Sequence, residues 1–88
     1  MAYSAALFIM KPVEIDGDQI ELKKIALRLK ELRKTKGFAS YEHIAYELGM
    51  SRSAYWRIES GENFEIKTLI KICKVLGVTL SEFFEGIQ

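Results

Sequence analysis

Apolar residues recur at helical spacing along most of the chain. Leu22, Ile25, Leu29 and Leu32 stand three and four positions apart, with basic residues largely on the other faces. This spacing predicts a first helix. Asp18 and Glu21 have the spacing of a capping box at its start, and Gly37 supplies its C-cap. Ser40 is a natural N-cap for a short second helix, Tyr41 to Leu48, with Ile44, Ala45 and Leu48 inward and Gly49 as its stop. Met50 and Ser51 form the turn that follows. Ser51 caps a third helix from Arg52 to about Ser60, stopped by Gly61. Asn63 is expected to cap a fourth, whose apolar stripe is Ile66, Leu69, Ile70, Cys73 and Leu76 and whose end is Gly77. Thr79 and Glu82 make another capping box and open a fifth helix carrying Leu80, Phe83, Phe84 and Ile87. Five short helices joined by short turns predict an all-α domain.

Residues 1–19 break the pattern. Pro12 interrupts an apolar stretch, and Asp16-Gly17 is a turn signal. The reading here is an N-terminal arm, partly disordered or with a short strand at Leu7–Met10 that either pairs with its copy in a dimer or packs loosely on the core. Residues 20–88 then form the folded domain. A length of 88 residues suits one domain and leaves a modest core, to which oligomerisation would add.

Composition changes the picture in one place. The net charge is only +1, but residues 20–36 carry seven basic side chains (Lys23, Lys24, Arg28, Lys30, Arg33, Lys34, Lys36) against Glu21 and Glu31. A basic segment in a nearly neutral chain suits a partner with a negative surface; the plain alternative is a solvated helix face. The lone Cys73 excludes an intramolecular disulfide, falls in an apolar pattern and is read as core. His43 stands alone, with no metal-ligand spacing around it, so no metal or cofactor is expected. The apolar run Ala5–Met10 is too short to span a bilayer and lacks a preceding basic residue, so a cytoplasmic protein with no membrane partner is expected. No paired-carboxylate, Ser/His or Cys/His arrangement and no phosphate-cradling glycine loop is visible, so an enzyme is not expected.

The informative stretch is Tyr41 to Ser60, YEHIAYELGMSRSAYWRIES. Two helices of about eight residues flank a short turn that holds a glycine. Ala45 suits the place where two helices cross, and Gly49 suits a turn that needs positive φ. Ile44, Leu48, Met50, Tyr55 and Ile58 are spaced to bury one face of the pair. That leaves the other face of the third helix free, with Arg52, Ser53, Trp56 and Arg57 on it and Ser51 and Ser60 at its ends. A helix so held fits the major groove of DNA, where an arginine bridges guanine O6 and N7 and each such pair contributes roughly 1–3 kcal/mol of base discrimination.

Leu32 to Gly86 resembles the helix-turn-helix domain of the lambda-repressor/Cro (XRE-like) family. LRKTKG, IAYELGMSRSAYWRIESG and IKTLIKICKVLGVTLSEFF carry the likeness, over about two-thirds of the chain. The resemblance implies a five-helix domain, a recognition helix at Ser51–Ser60 and transcriptional regulation. By that match Ser51, Arg52, Ser53, Trp56 and Arg57 fall on positions that contact bases or backbone, and Asn63 and Lys67 where the family often touches phosphate. Two positions depart from the pattern. Tyr41 stands where the family usually has a phosphate-bracing glutamine, and Trp56 is bulky for a position that is often small, with Tyr41 or Tyr46 as neighbours it can pack on.

These readings converge on sequence-specific binding of a double-stranded, palindromic DNA operator by a homodimer. Ile72, Phe84, Ile87 and Leu7–Met10 are the residues read as its two-fold interface. No small-molecule ligand is evident. The alternatives are a protein-interaction module that retains the fold, which Tyr41 and Trp56 would suit, or an antitoxin, for which residues 1–19 are the candidate toxin-binding segment. Among the flanking residues, Glu59 is read as structural, pairing with a basic residue of the first helix such as Arg33. Arg57 is read either as a DNA contact or as the partner of Glu59, Glu62 or Glu65. Lys34 and Lys36 are read as flanking phosphate contacts or solvated side chains.

Overall fold

Ser40, Ser51 and Thr79 each begin a helix, because each side-chain oxygen accepts an otherwise orphaned backbone N–H. The computed structural model describes residues 17–87. The helices are α1 (Gly17–Thr35), α2 (Tyr41–Leu48), α3 (Arg52–Glu59), α4 (Ile66–Leu76) and α5 (Leu80–Glu85). There is no strand among the described residues, and the arm or strand expected at Leu7–Met10 lies outside them. Among the described residues the all-α, five-helix expectation holds.

Ser40 Oγ accepts from the His43 amide at 3.1 Å, and Ser51 Oγ from the Ala54 amide at 3.1 Å. The Thr79–Glu82 capping box closes in both directions, at 3.0 and 2.8 Å. Gly49 takes φ +72°, and its N–H and that of Met50 bond back to the carbonyls of Tyr46 and Ala45. This left-handed end turns the chain into α3 within three residues.

Two expected caps are different. α1 already includes Gly17, so Asp18 lies in its first turn and is not an N-cap; its carboxylate faces the positive end of the helix dipole instead. α4 begins at Ile66 behind Glu65, which makes no side-chain cap hydrogen bond, and Asn63 stays in the preceding loop. Residues 62–65 carry the chain from α3 to α4 without helical structure, with Glu65 itself extended, which places Asn63 too early to cap.

The core is built from Leu29 of α1, Ile44 of α2, Tyr55 of α3, Leu69 and Ile72 of α4 and Phe83 of α5, all fully buried. α3 packs on α1 and α2, α2 also packs on α4, and α5 packs on α4. Ile72 therefore belongs to the core and is withdrawn from the two-fold interface. The buried stripe of α4 is Leu69, Ile72, Cys73 and Leu76, while Ile66 and Ile70 of the expected stripe are exposed. α4 is apolar over a wide arc, and contact with α2 and α5 decides which part faces inward.

Arg28 fastens α1 to α5. Its Nε donates to the Phe83 carbonyl and its Nη2 to the Glu82 carbonyl, each at 2.8 Å, so it satisfies acceptors at the end of α5. Gly86 leaves room for this guanidinium, which a Cβ at that position would strike. One of the seven basic residues is thus committed to holding the fold.

Candidate nucleic-acid interface

The turn between α2 and α3 is fixed from beneath. Ile44, Ala45, Leu48, Tyr55 and Ile58 are buried and Met50 is partly so, as their spacing predicts. Under α3 lies a buried ion pair. Arg33 Nε donates to Glu59 Oε2 at 2.7 Å and Nη2 to Oε1 at 3.2 Å, with side chains only 4% and 2% exposed. Arg33 Nη1 donates to the Phe38 carbonyl at 2.7 Å, and the Tyr55 hydroxyl makes a short hydrogen bond to Glu59. No buried side-chain nitrogen or oxygen among the described residues lacks a hydrogen-bond partner, this network included. Glu59 and Arg33 are therefore the expected structural pair, and Arg33 is the second basic residue of the first helix committed to the interior.

The network also shifts the ionisation of its members. The hydrogen bond to Glu59 raises the Arg33 value above its ordinary one, against the opposing effect of burial. Burial first, and the bond to Glu59 second, push the Tyr55 phenol far above its ordinary value. Both groups keep their protons throughout the neutral range.

With that face anchored, α3 offers Arg52, Ser53, Trp56 and Arg57 to solvent. Ser51 is spent first as the cap, and its Oγ lies 3.4 Å from that of Ser53. Trp56 is 47% exposed and makes no ring contact with Tyr41 or Tyr46 among the described residues. It is presented outward. Arg57 forms no ion pair with any described residue, so Glu59, Glu62 and Glu65 leave it available.

Tyr41 lies half-buried at the start of α2, its ring 6.1 Å from that of Tyr55. The Arg33 guanidinium sits over the Tyr41 ring at 4.9 Å, and the Arg52 guanidinium over the same ring at 5.4 Å. Arg52 Nε also pairs with Glu42 Oε2 at 3.4 Å. Lys30 and Lys34 of α1 line the same shallow groove. The structure thus brings Tyr41, Ser51, Arg52 and Ser53 together with two lysines at one end of α3. Lys67 is exposed in the first turn of α4. Asn63 is exposed too, but it shares a groove with Asp18 and Glu21, a more negative neighbourhood than that of Arg52.

His43 packs its ring against Phe38 at 4.6 Å. No group of three His, Cys, Asp or Glu side chains among the described residues is placed to hold a metal ion. Burial raises the Cys73 thiol above its ordinary value, so it remains protonated in the core. No helix among the described residues is long and apolar enough to cross a membrane. Glu42 and the double occupancy of the Tyr41 ring were not legible in the sequence. An acidic residue beside an N-cap is ordinary, and its pairing with Arg52 depends on the angle between α2 and α3.

Residues 24–83 match the family described as "Helix-turn-helix domain", which covers more than half of the chain. The chain belongs to this helix-turn-helix family, and it is a DNA-binding regulator rather than an enzyme. Among curated proteins it is similar to "Control protein C.MunI" of Mycoplasma sp, with 42% identity over 62 residues, or 69% of this chain and 84% of that protein. It is also similar to "Plasmid copy control protein CopR" of Streptococcus agalactiae, with 50% identity over 50 residues, or 56% of this chain and 54% of that protein. The chain therefore spans about half the length of CopR. No solved structure gives a significant match.

Proposed function

We infer that the chain is a cytoplasmic, sequence-specific regulator of transcription that lays α3 in the major groove of an operator. The observation that carries this reading is the two-faced character of α3. Its inner face is locked by Tyr55, Ile58 and the buried Arg33–Glu59 pair, and its outer face presents Arg52, Ser53, Trp56 and Arg57. A rigid helix with an arginine near its N-terminus suits bidentate readout of guanine. The Ser51 and Tyr41 hydroxyls, with Lys30 and Lys34, are suited to the flanking phosphates, and Lys67 and Asn63 to phosphates further along. Both relatives have "control" in their names, which supports a regulatory role.

The regulator acts as a homodimer on an imperfect palindrome, with its two recognition helices roughly 34 Å apart. Half-exposed Phe84 and Leu80 on α5, with partly buried Ile87, are an apolar surface suited to the two-fold contact. With roughly six phosphate contacts per dimer, log affinity falls with log salt at near −0.9 per contact. A second reading, a protein-interaction module, is favoured by the exposure of Trp56 and Tyr46 at 47% and 80%.

Selection of bound duplexes from a random library, with Arg52→Ala run beside the wild type, separates the two. Recovery of a palindrome whose preference relaxes in the variant supports operator binding. Recovery of nothing above background contradicts it and favours the protein partner.

A further inference from the structure

The groove beside the N-terminus of α3 holds one acid among four basic side chains. Lys30, Arg33, Lys34 and Arg52 line it together with Glu42. A carboxylate on a surface that faces phosphate repels the ligand, so its presence there calls for a return. The geometry supplies one. Glu42 sits in the first turn of α2, where the helix dipole favours its charge, and it reaches across the turn to Arg52 Nε at 3.4 Å. The Arg52 guanidinium meanwhile lies over the Tyr41 ring at 5.4 Å.

Tyr41 is itself held in place. Arg33 sits over the same ring at 4.9 Å, and Arg33 is fixed by Glu59 and by the Phe38 carbonyl. A chain of contacts therefore runs from the buried ion pair, through an aromatic ring, to an exposed arginine. The Tyr41 ring lies against the Arg52 guanidinium, and Glu42 occupies its Nε side. The edge left free carries the two terminal nitrogens, the parallel donor pair that guanine O6 and N7 accept.

We propose that Tyr41 and Glu42 are positioning residues that fix the guanidinium of Arg52 in one orientation and so set base preference at the position Arg52 reads. The proposal rests on the reading of α3 as the recognition helix. Its distinctive consequence is a split between affinity and specificity. Removing the Glu42 charge favours DNA of any sequence, because a carboxylate no longer faces phosphate, yet it loosens Arg52 and weakens discrimination. A solvated acid with no positioning role would change both sequences' affinities alike.

The test is binding of the full chain to its selected duplex and to single-base variants, compared with a scrambled duplex. The proteins are wild type, Arg52→Ala, Glu42→Gln, Tyr41→Phe and Tyr41→Leu. Glu42 is 71% exposed, so Glu42→Gln leaves folding unaffected. Arg52→Ala identifies the position that Arg52 reads. At that position Glu42→Gln is expected to lower discrimination by about threefold while affinity for the scrambled duplex rises, in keeping with exposed ion pairs and ring–cation contacts of modest strength. Tyr41→Leu is expected to lower discrimination similarly, and Tyr41→Phe, which keeps the ring, to preserve it. Wild-type discrimination in Glu42→Gln at a position that Arg52→Ala relaxes would overturn the positioning role alone. If Arg52→Ala relaxes no position, base reading by Arg52 falls and the positioning role with it.

Discussion

At Arg33 a full positive charge lies beneath the surface, and its counter-charge on Glu59 is as deeply buried. Charges so placed are tolerated only while each keeps its partner. Glu59→Ala is expected to lower unfolding stability by about 3–5 kcal/mol in urea titrations. That is a large part of the roughly 5–15 kcal/mol that holds a native domain together. An Arg33→Met, Glu59→Leu double variant recovers part of the loss, since neither charge is then stranded although the Tyr55 hydroxyl and the Phe38 carbonyl lose their partners. Tyr55 adds a pH dependence whose sign follows from its raised value. Below the ordinary value of 10.0 the phenol is protonated whether the chain is folded or not, and stability does not vary with it. Above that value the unfolded chain ionises while the folded chain resists, so stability falls as pH rises. Equilibrium unfolding between neutral pH and the alkaline range should show this fall in the wild type and a shallower one in Tyr55→Phe.

At the scale of the elements, the joint between α2 and α3 decides whether the outer face of α3 is aimed or loose. Gly49 holds that joint in a left-handed conformation, and a Cβ there would meet nothing within 4 Å. Gly49→Ala therefore adds backbone strain alone, and thermal unfolding should report a loss of about 1–2 kcal/mol with DNA affinity of the folded fraction preserved. The elements that sequence made legible are those with strong local chemistry. Ser40, Ser51 and the Thr79–Glu82 box cap by bonds spanning three residues, and Gly49 and Gly77 end helices through their own φ. The misread elements depend on distant packing. Ile72 lies at the edge of an apolar arc broad enough for two stripes, and only α2 and α5 choose between them. Asn63 has the right chemistry for a cap, but the helix begins only at Ile66, three residues on. The outward face of α3 was legible as a pattern of exposed residues. The Tyr41–Arg52–Glu42 cluster was not, because it needs the crossing of α2 and α3 to bring its members together.

For the whole molecule, the basic segment is smaller as a DNA-facing surface than its composition suggests. Arg28 is spent on the carbonyls of α5 and Arg33 on Glu59, while Lys30 and Lys34 remain beside Arg52. On the proposed reading, affinity rests on a modest set of phosphate contacts, and specificity on Arg52 and its neighbours on α3. The most direct test is methylation interference on the selected duplex. Guanine N7 lies in the major groove and adenine N3 in the minor groove, so the two modifications report on different faces of the DNA. Methylation of one guanine N7 in each half-site is expected to block the wild-type chain and no longer to matter to Arg52→Ala. Interference confined to adenine N3, or N7 interference that Arg52→Ala retains unchanged, would contradict the proposed reading.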